Sequence, residues 1–522
     1  MASFVNNIKR NVVPNWLDYQ NTARLGELQG CSSNHTRRGF PIDDYVKAWN
    51  ENHSLSFAGD LISAAIMNNK SNNEAVKEAA KYVLDKNDIA PDSLYKSAKA
   101  LLSTNKNRTE FVKSPLSKRL DKILDQEEIN RTKIRIIRSQ VHRFPLDPIW
   151  YCELALAYVN LGLMEKAGKA MEIAVYLAPE SRYITRSAAR LFLHKNDADR
   201  AHFVLINNPT IKTDPWIIAS EIAINACRGR RSRFINTGIS MINSENFSPF
   251  SITELSSAIG TVELSHSTKK CKFYLDKALV HPNDNSLSQA EWLLSVDNSL
   301  NFKFSEKERV ENRHEANARK AFIDEDYSRA LESSVAWIED MPFAKTPIYF
   351  AAEMAYTYQK DYNNAIKILE IGLRSNPNEL SFLNNLAYAY AMNGETDKAE
   401  SILNNSKLKA STTPLELKIC LLATKGLNEY RKGNIDLGRF FYKKAINQTH
   451  QNSMQTLLHK AILNYIREEI RATKSYNEET LNIVDRLTTN NLRETNVLRQ
   501  EIKDLVKTSN KKNEKDIDTI RL

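Results

Sequence analysis

The sequence predicts an all-α protein: a solenoid of stacked helix pairs with helical extensions at both ends. Three observations carry that prediction. Gly (14) and Pro (15) each make up about 3% of 522 residues, below the roughly 7% and 5% of average chains, which disfavours tight-turned β-architectures. Apolar residues recur at helical spacing in short paired segments. One such pair of segments recurs at a fixed offset, and a chain of 522 residues is too long for one compact core but suits a stacked array.

The repeat is clearest from Thr346. Aromatic, small and bulky residues follow as Tyr349, Tyr356, Ala365, Leu369 and Pro377, and the same places after Leu380 hold Leu383, Tyr390, Ala399 and Leu403, with Gly394 at the inter-helix turn. The offset is 380 − 346 = 34 residues. A further copy from Pro148 carries Tyr151, Leu154, Ala155, Tyr158, Gly162, Ala167, Met171, Ala174 and Pro179 in register. Small residues let the two helices of a pair approach, bulky ones fill the wedge between pairs, and proline ends the second helix. Weaker copies start at Arg182, Ile252, Glu311 and Ile419, and Thr213–Phe247 reads as helical without a register.

This pattern resembles the tetratricopeptide repeat, whose period is 34. The resemblance covers residues 148–450 and implies a right-handed superhelix whose concave groove binds other proteins. Carried onto this chain, the groove positions include Phe350, Met354 and Tyr358, then Asn384, Tyr388 and Met392, then Leu427, Tyr430 and Arg431. Such a groove is apolar, aromatic and Met-rich, suited to an adaptable helix or strand from a partner. It lacks the Lys, Asn and Arg set that clamps acidic chaperone tails, to which only Asn384 partly corresponds.

Flanking segments complete the organisation. Residues 1–50 are read as a cap or partner-binding arm, and residues 51–147 as helices related to the repeats, including one long helix from Leu116 to His142. Residues 451–522 are read as a capping helix over Ser453–Ala472, then a heptad-like helix through Leu481, Val484, Leu498, Ile502 and Leu505, with a polar frayed tail. That helix offers either a cap or a homo-oligomer contact.

Chemistry-bearing motifs are absent. No phosphate loop, dinucleotide fingerprint, zinc-protease helix or nucleophile elbow occurs, and Cys31, Cys152, Cys227, Cys271 and Cys420 are too scattered for a metal site. We therefore expect no enzyme, cofactor or metal. No apolar run spans a membrane, and the spacing of the thiols suits a reducing, cytoplasmic setting. The expected function is a non-catalytic scaffold, adaptor or regulator that binds a protein partner. The alternative is a nucleic-acid-associated adaptor using two basic patches, Arg131, Arg135 and Arg138 within 106–143, and Arg228, Arg230, Arg231 and Arg233.

Overall fold

The computed structural model describes residues 9–28, 42–67, 73–102, 116–244, 246–297, 299–300, 302, 310–405, 408, 413–487 and 493–511. Cys31, the basic residues Lys106, Arg108 and Lys113, and the end of the polar tail lie outside the described residues. An N-terminal arm leads through α1 (Tyr19–Arg24) to four helices, α2 (Ile42–Glu51), α3 (Leu55–Met67), α4 (Glu74–Asp85) and α5 (Asp92–Leu102), and then to the long α6 (Leu116–Arg143).

The array follows. Its pairs are α7 (Pro148–Asn160) with α8 (Met164–Leu177), α9 (Arg182–His194) with α10 (Ala198–Ile206), α11 (Pro215–Cys227) with α12 (Ile235–Asn243), and α13 (Thr253–Glu263) with α14 (Thr268–Ala278). Next come α15 (Asp284–Val296), then α16 (His314–Ile323) with α17 (Tyr327–Asp340), α18 (Lys345–Glu353) with α19 (Tyr362–Ser375), and α20 (Leu380–Met392) with α21 (Thr396–Leu403). The last pair is α22 (Leu415–Lys432) with α23 (Ile435–Gln451), followed by α24 (Gln455–Thr473), α25 (Glu478–Arg486) and α26 (Arg493–Lys507). Strand among the described residues is limited to a two-residue parallel ladder, Ser475–Tyr476 with Asn510–Lys511.

The period is visible in the backbone. Seven of the eight turns between these pairs carry one left-handed residue, Gly162 (φ 69°), Asn196 (62°), Gly229 (66°), Glu325 (61°), Lys360 (55°), Gly394 (84°) and Gly433 (86°), and the turn between α13 and α14 carries none. The differences 196 − 162 and 394 − 360 are both 34. Aspartates then cap several helices, as Asp197, Asp326 and Asp361 each accept from a first-turn amide, satisfying donors the helix cannot pair itself. Asp147 and Asp214 do the same ahead of Pro148 and Pro215, where proline costs no hydrogen bond.

One departure from regularity is local. The first helix of the Thr346 repeat runs on from α18 into a π-helical turn, Met354–Tyr358. The inserted turn rotates Tyr358 onto Tyr327, with ring centroids 4.0 Å apart and planes 14° apart.

The superhelix closes on itself. Ser375 Oγ donates to Asn160 O at 3.0 Å, and a Cβ at Gly162 would stand 2.7 Å from Arg374 O. That approach, with its positive φ, makes glycine necessary there. The long α6 runs across the closure: Arg374 donates to Ile123 O and Leu124 O at 2.9 Å each, and Arg119 pairs with Glu339 at 2.7 Å.

Candidate functional site

Helices α7, α9, α15 and α16 contribute side chains to a shared inner face, and residues 9–28 of the same chain lie on it. Residues 9–18 have no regular secondary structure, so their backbone groups need partners from elsewhere. The inner face supplies them. Asn285 Nδ2 donates to Val13 O at 3.0 Å, Gln289 Nε2 to Arg10 O at 3.2 Å, and Tyr183 Oη to Leu17 O at 3.1 Å. Glu153 accepts from Tyr19 N at 2.9 Å, and Arg182 Nη1 donates to Glu27 O at 3.1 Å. Glu153, Arg182, Tyr183, Asn285 and Gln289 thus belong to α7, α9 and α15.

Two side chains anchor this arm. Arg10 forks onto the Glu315 carboxylate of α16, Nε to Oε1 and Nη2 to Oε2 at 2.8 Å each, while Nη1 reaches Gln289 at 2.7 Å and Nη2 reaches Asn285 at 2.8 Å. Trp16 is fully buried and meets Phe343 edge-on at 5.5 Å. Burial alone would raise the Glu315 carboxyl, but Arg10 and Arg319 overcome it and hold it at about 2. Beside it, burial and then the Glu315 charge push Asp284 up to about 7, even though Asp284 accepts from the Glu315 and Ala316 amides.

The second half of the inner face holds the residues expected to line a groove. Phe350 is buried edge-on to Phe322 at 5.7 Å, and Tyr388 is buried against Tyr356 at 5.6 Å. Met354 and Leu427 are buried, and buried Asn384 accepts from Thr424 Oγ1 at 3.0 Å. Tyr430 is buried and donates to Glu469 at 2.5 Å. Met392 Sδ accepts from half-buried Arg431 at 3.3 Å, and Arg431 pairs with Glu468 at 3.2 Å. Several of these side chains are contacted by later helices of the same chain. Helix α24 supplies Glu468 and Glu469, and α26 ties down through Glu494 to Lys460 and through Glu501 to Lys360 and Arg471 at 3.1 Å each.

Contacts from the C-terminal extension thus reach Tyr388, Tyr430 and Arg431, three of the positions named from the repeat as groove-lining. The heptad-like residues of the C-terminal extension make the cover: Val484 and Ile502 are buried in the second-half core, with Leu498 and Leu505 packed against it. The reason is the hydrophobic effect acting within one chain, since an apolar stripe this close to an apolar groove loses most water contact by folding back.

The two basic patches sit on separate elements, α6 and the turn after α11. Arg131 pairs with Glu127 at 2.8 Å and Arg135 donates to Thr132 at 3.1 Å. Arg228 pairs with Asp199 at 2.6 Å, and Arg233 lies over its neighbour Phe234 at 4.9 Å. Arg138, Arg230 and Arg231 are exposed. Cys152, Cys271 and Cys420 are buried thiols and Cys227 is exposed. Among the described residues no helix is long and apolar enough to cross a membrane.

No family profile matches the sequence, and no curated protein matches it. Three solved structures align with the chain at low identity. Yeast Tom70 aligns at 14% identity and TM-score 0.29 over 75% of this chain and 95% of its own. The Cut9–Hcn1 hetero-tetramer of the APC/C aligns at 10% identity and TM-score 0.35, over 88% and 92%. The human IFIT1 dimer with PPP-AAAA aligns at 11% identity and TM-score 0.30, over 78% and 93%. Scores this low carry no argument about function. The chain is an all-α array that resembles tetratricopeptide-repeat proteins, by the register and pairing of its own helices.

Proposed function

We propose that the protein is a non-catalytic scaffold whose inner face binds extended or helical segments of protein partners, its own two ends occupying that face in the structure described. The supporting observation is the arm: side chains from α7, α9, α15 and α16 grip its backbone and its Arg10 side chain, as a groove grips a bound peptide. On this reading Tyr388 beside α26, and Tyr430 and Arg431 bonded to α24, mark the place where a partner helix would lie. A nucleic-acid role would rest on exposed Arg138, Arg230 and Arg231 and would fall steeply with salt.

The test uses the full chain carrying Arg10→Glu, which loosens the arm, and a labelled peptide of residues 9–28. We expect the peptide to bind the variant and not the wild type, and to release partners captured from the native host in the presence of nuclease. Absence of peptide binding to a folded variant rejects the reading. Capture that disappears with nuclease transfers the function to the basic patches.

A further inference from the structure

A cleft of about 720 Å³ lies between α3 and α5 on one side and α6 and α7 on the other, with Tyr19 of the arm at its lining. One wall is a stripe of α6 that includes Asp125, Glu128, Ile129, Thr132, Lys133 and Ile136, continuing to Ile137. Successive steps of three and one keep these residues on one helical face, over a length of about 18 Å at the α-helical rise. That is an elongated trough. The facing wall is apolar, with Ile62, Ile66 and Leu94, and Trp150 and Phe144 close the base.

Two features mark it as binding surface. Ile129 and Ile136 are 53% and 51% exposed, one heptad apart on the stripe, so the trough has an apolar strip in water. Its carboxylates Asp18, Asp125 and Glu128 outnumber Lys96, and Lys133 is engaged by Glu153 at 3.7 Å. This acidic lining stands in a chain of net charge +10.

We propose that this trough is a docking site for a basic amphipathic helix of a protein partner, with apolar side chains against Ile129 and Ile136 and Lys or Arg against Asp125 and Glu128. Trough length favours a helix of about three turns over a compact small molecule, and the charge fixes its sign. The trough borders the arm's seat at Tyr19 and Glu153, but its test substitutes only Asp125, Glu128, Ile129 and Ile136, none of which holds the arm, so its failure leaves the inner-face reading standing.

The test titrates full-length protein into a labelled synthetic helix of Leu and Lys, with a Leu and Glu helix as its charge-reversed control, read by fluorescence anisotropy. We expect the Leu and Lys helix to bind at least about tenfold more tightly, a difference of ~1.4 kcal/mol. Ile129→Asp with Ile136→Asp, and separately Asp125→Lys with Glu128→Lys, should each weaken it about tenfold or more with unchanged circular dichroism. All four positions are exposed or half-exposed on α6, so the variants should fold. Equal binding of both helices, or full binding by the isoleucine pair variant, overturns the proposal. So does an apolar dye that fills the trough and is not displaced by the basic helix, which would identify a small-molecule pocket instead.

Discussion

Arg10 and Glu315 are 305 positions apart and form a buried, two-pronged ion pair at 2.8 Å on each prong. Both side chains are under a tenth exposed. Removing one member of such a pair strands the other charge in the interior, which costs about 3–5 kcal/mol. Here Arg319 also contacts Glu315 at 2.8 Å, which places the effect toward the lower end.

Arg10→Ala should therefore destabilise the protein by roughly 3 kcal/mol and speed amide exchange in residues 9–28 before other regions. Adding Glu315→Gln, which removes the stranded charge, should recover part of the loss. Chemical denaturation of the two variants and the double variant measures both terms. A wild-type midpoint for Arg10→Ala would mean that the arm is not held by this pair.

Asp147 makes a prediction about pH. Burial raises its carboxyl from 3.8 to about 7, against the lowering effect of its hydrogen bonds from Ser63 and Ile149. A folded-state value above the unfolded one gives stabilisation that is complete below about pH 4 and is lost as pH rises through about 7. Asp147→Asn keeps the helix-capping oxygen and cannot titrate. The variant should gain on the wild type between pH 4 and 8, seen as a growing difference in Tm. A difference that stays constant across that range would show that Asp147 does not titrate there.

Two glycines test how closely the last pair packs. A Cβ at Gly426 would lie 2.7 Å from the Tyr442 ring and 3.1 Å from Gly438 O, and one at Gly438 would lie 2.6 Å from the Tyr430 ring. Alanine in a helix is otherwise favoured by about 1 kcal/mol. Overpacking costs about 1–3 kcal/mol, and both rings are buried, so we expect Gly426→Ala and Gly438→Ala each to lower stability. An increase in Tm would show that the tyrosines have room to move.

The array was legible because its signals are local. Small residues such as Ala155 and Ala365 and the left-handed turn at Gly162 or Gly394 repeat within one or two pairs, and the long α6 and α24 announce themselves by periodicity. Helix α15 had no register, and the reason is physical: Asn285, Ser286, Ser288 and Gln289 are buried polar residues, two of which serve the arm. These polar residues interrupt the short apolar spacing of Leu287, Ala290 and Leu293 that would otherwise mark the helix. Residues 9–18 have no period of their own, and their partners lie up to 305 positions away. Tyr388 is named as a groove position from the repeat, but nothing near it in sequence indicates that Val497 and Leu498 of α26 lie beside it. The trough was also invisible, since Ile129 and Asp125 read as ordinary residues until α3 and α5 face them.

The cover over the second half depends on Glu501 of α26. It accepts from Lys360 and Arg471 at 3.1 Å each and lies 3.6 Å from fully buried Arg467. Burial would raise its carboxyl, but Arg467 and Lys360 outweigh that and hold it below 4.5. A depressed folded-state value means stabilisation that is present above about pH 4.5 and is lost as pH falls below it. Glu501→Gln keeps the shape and removes the charge, at about 1.5–3 kcal/mol for charge-assisted hydrogen bonds of this kind. Because these contacts join α26 to the π-helical turn region and to α24, the loss should be local. Amide exchange should accelerate across residues 493–507 while α7 and α8 stay protected, and acidification of the wild type should open the same segment first. Uniform acceleration along the chain would mean that α26 is part of the global folding unit, not a cover that lifts from the inner face by itself.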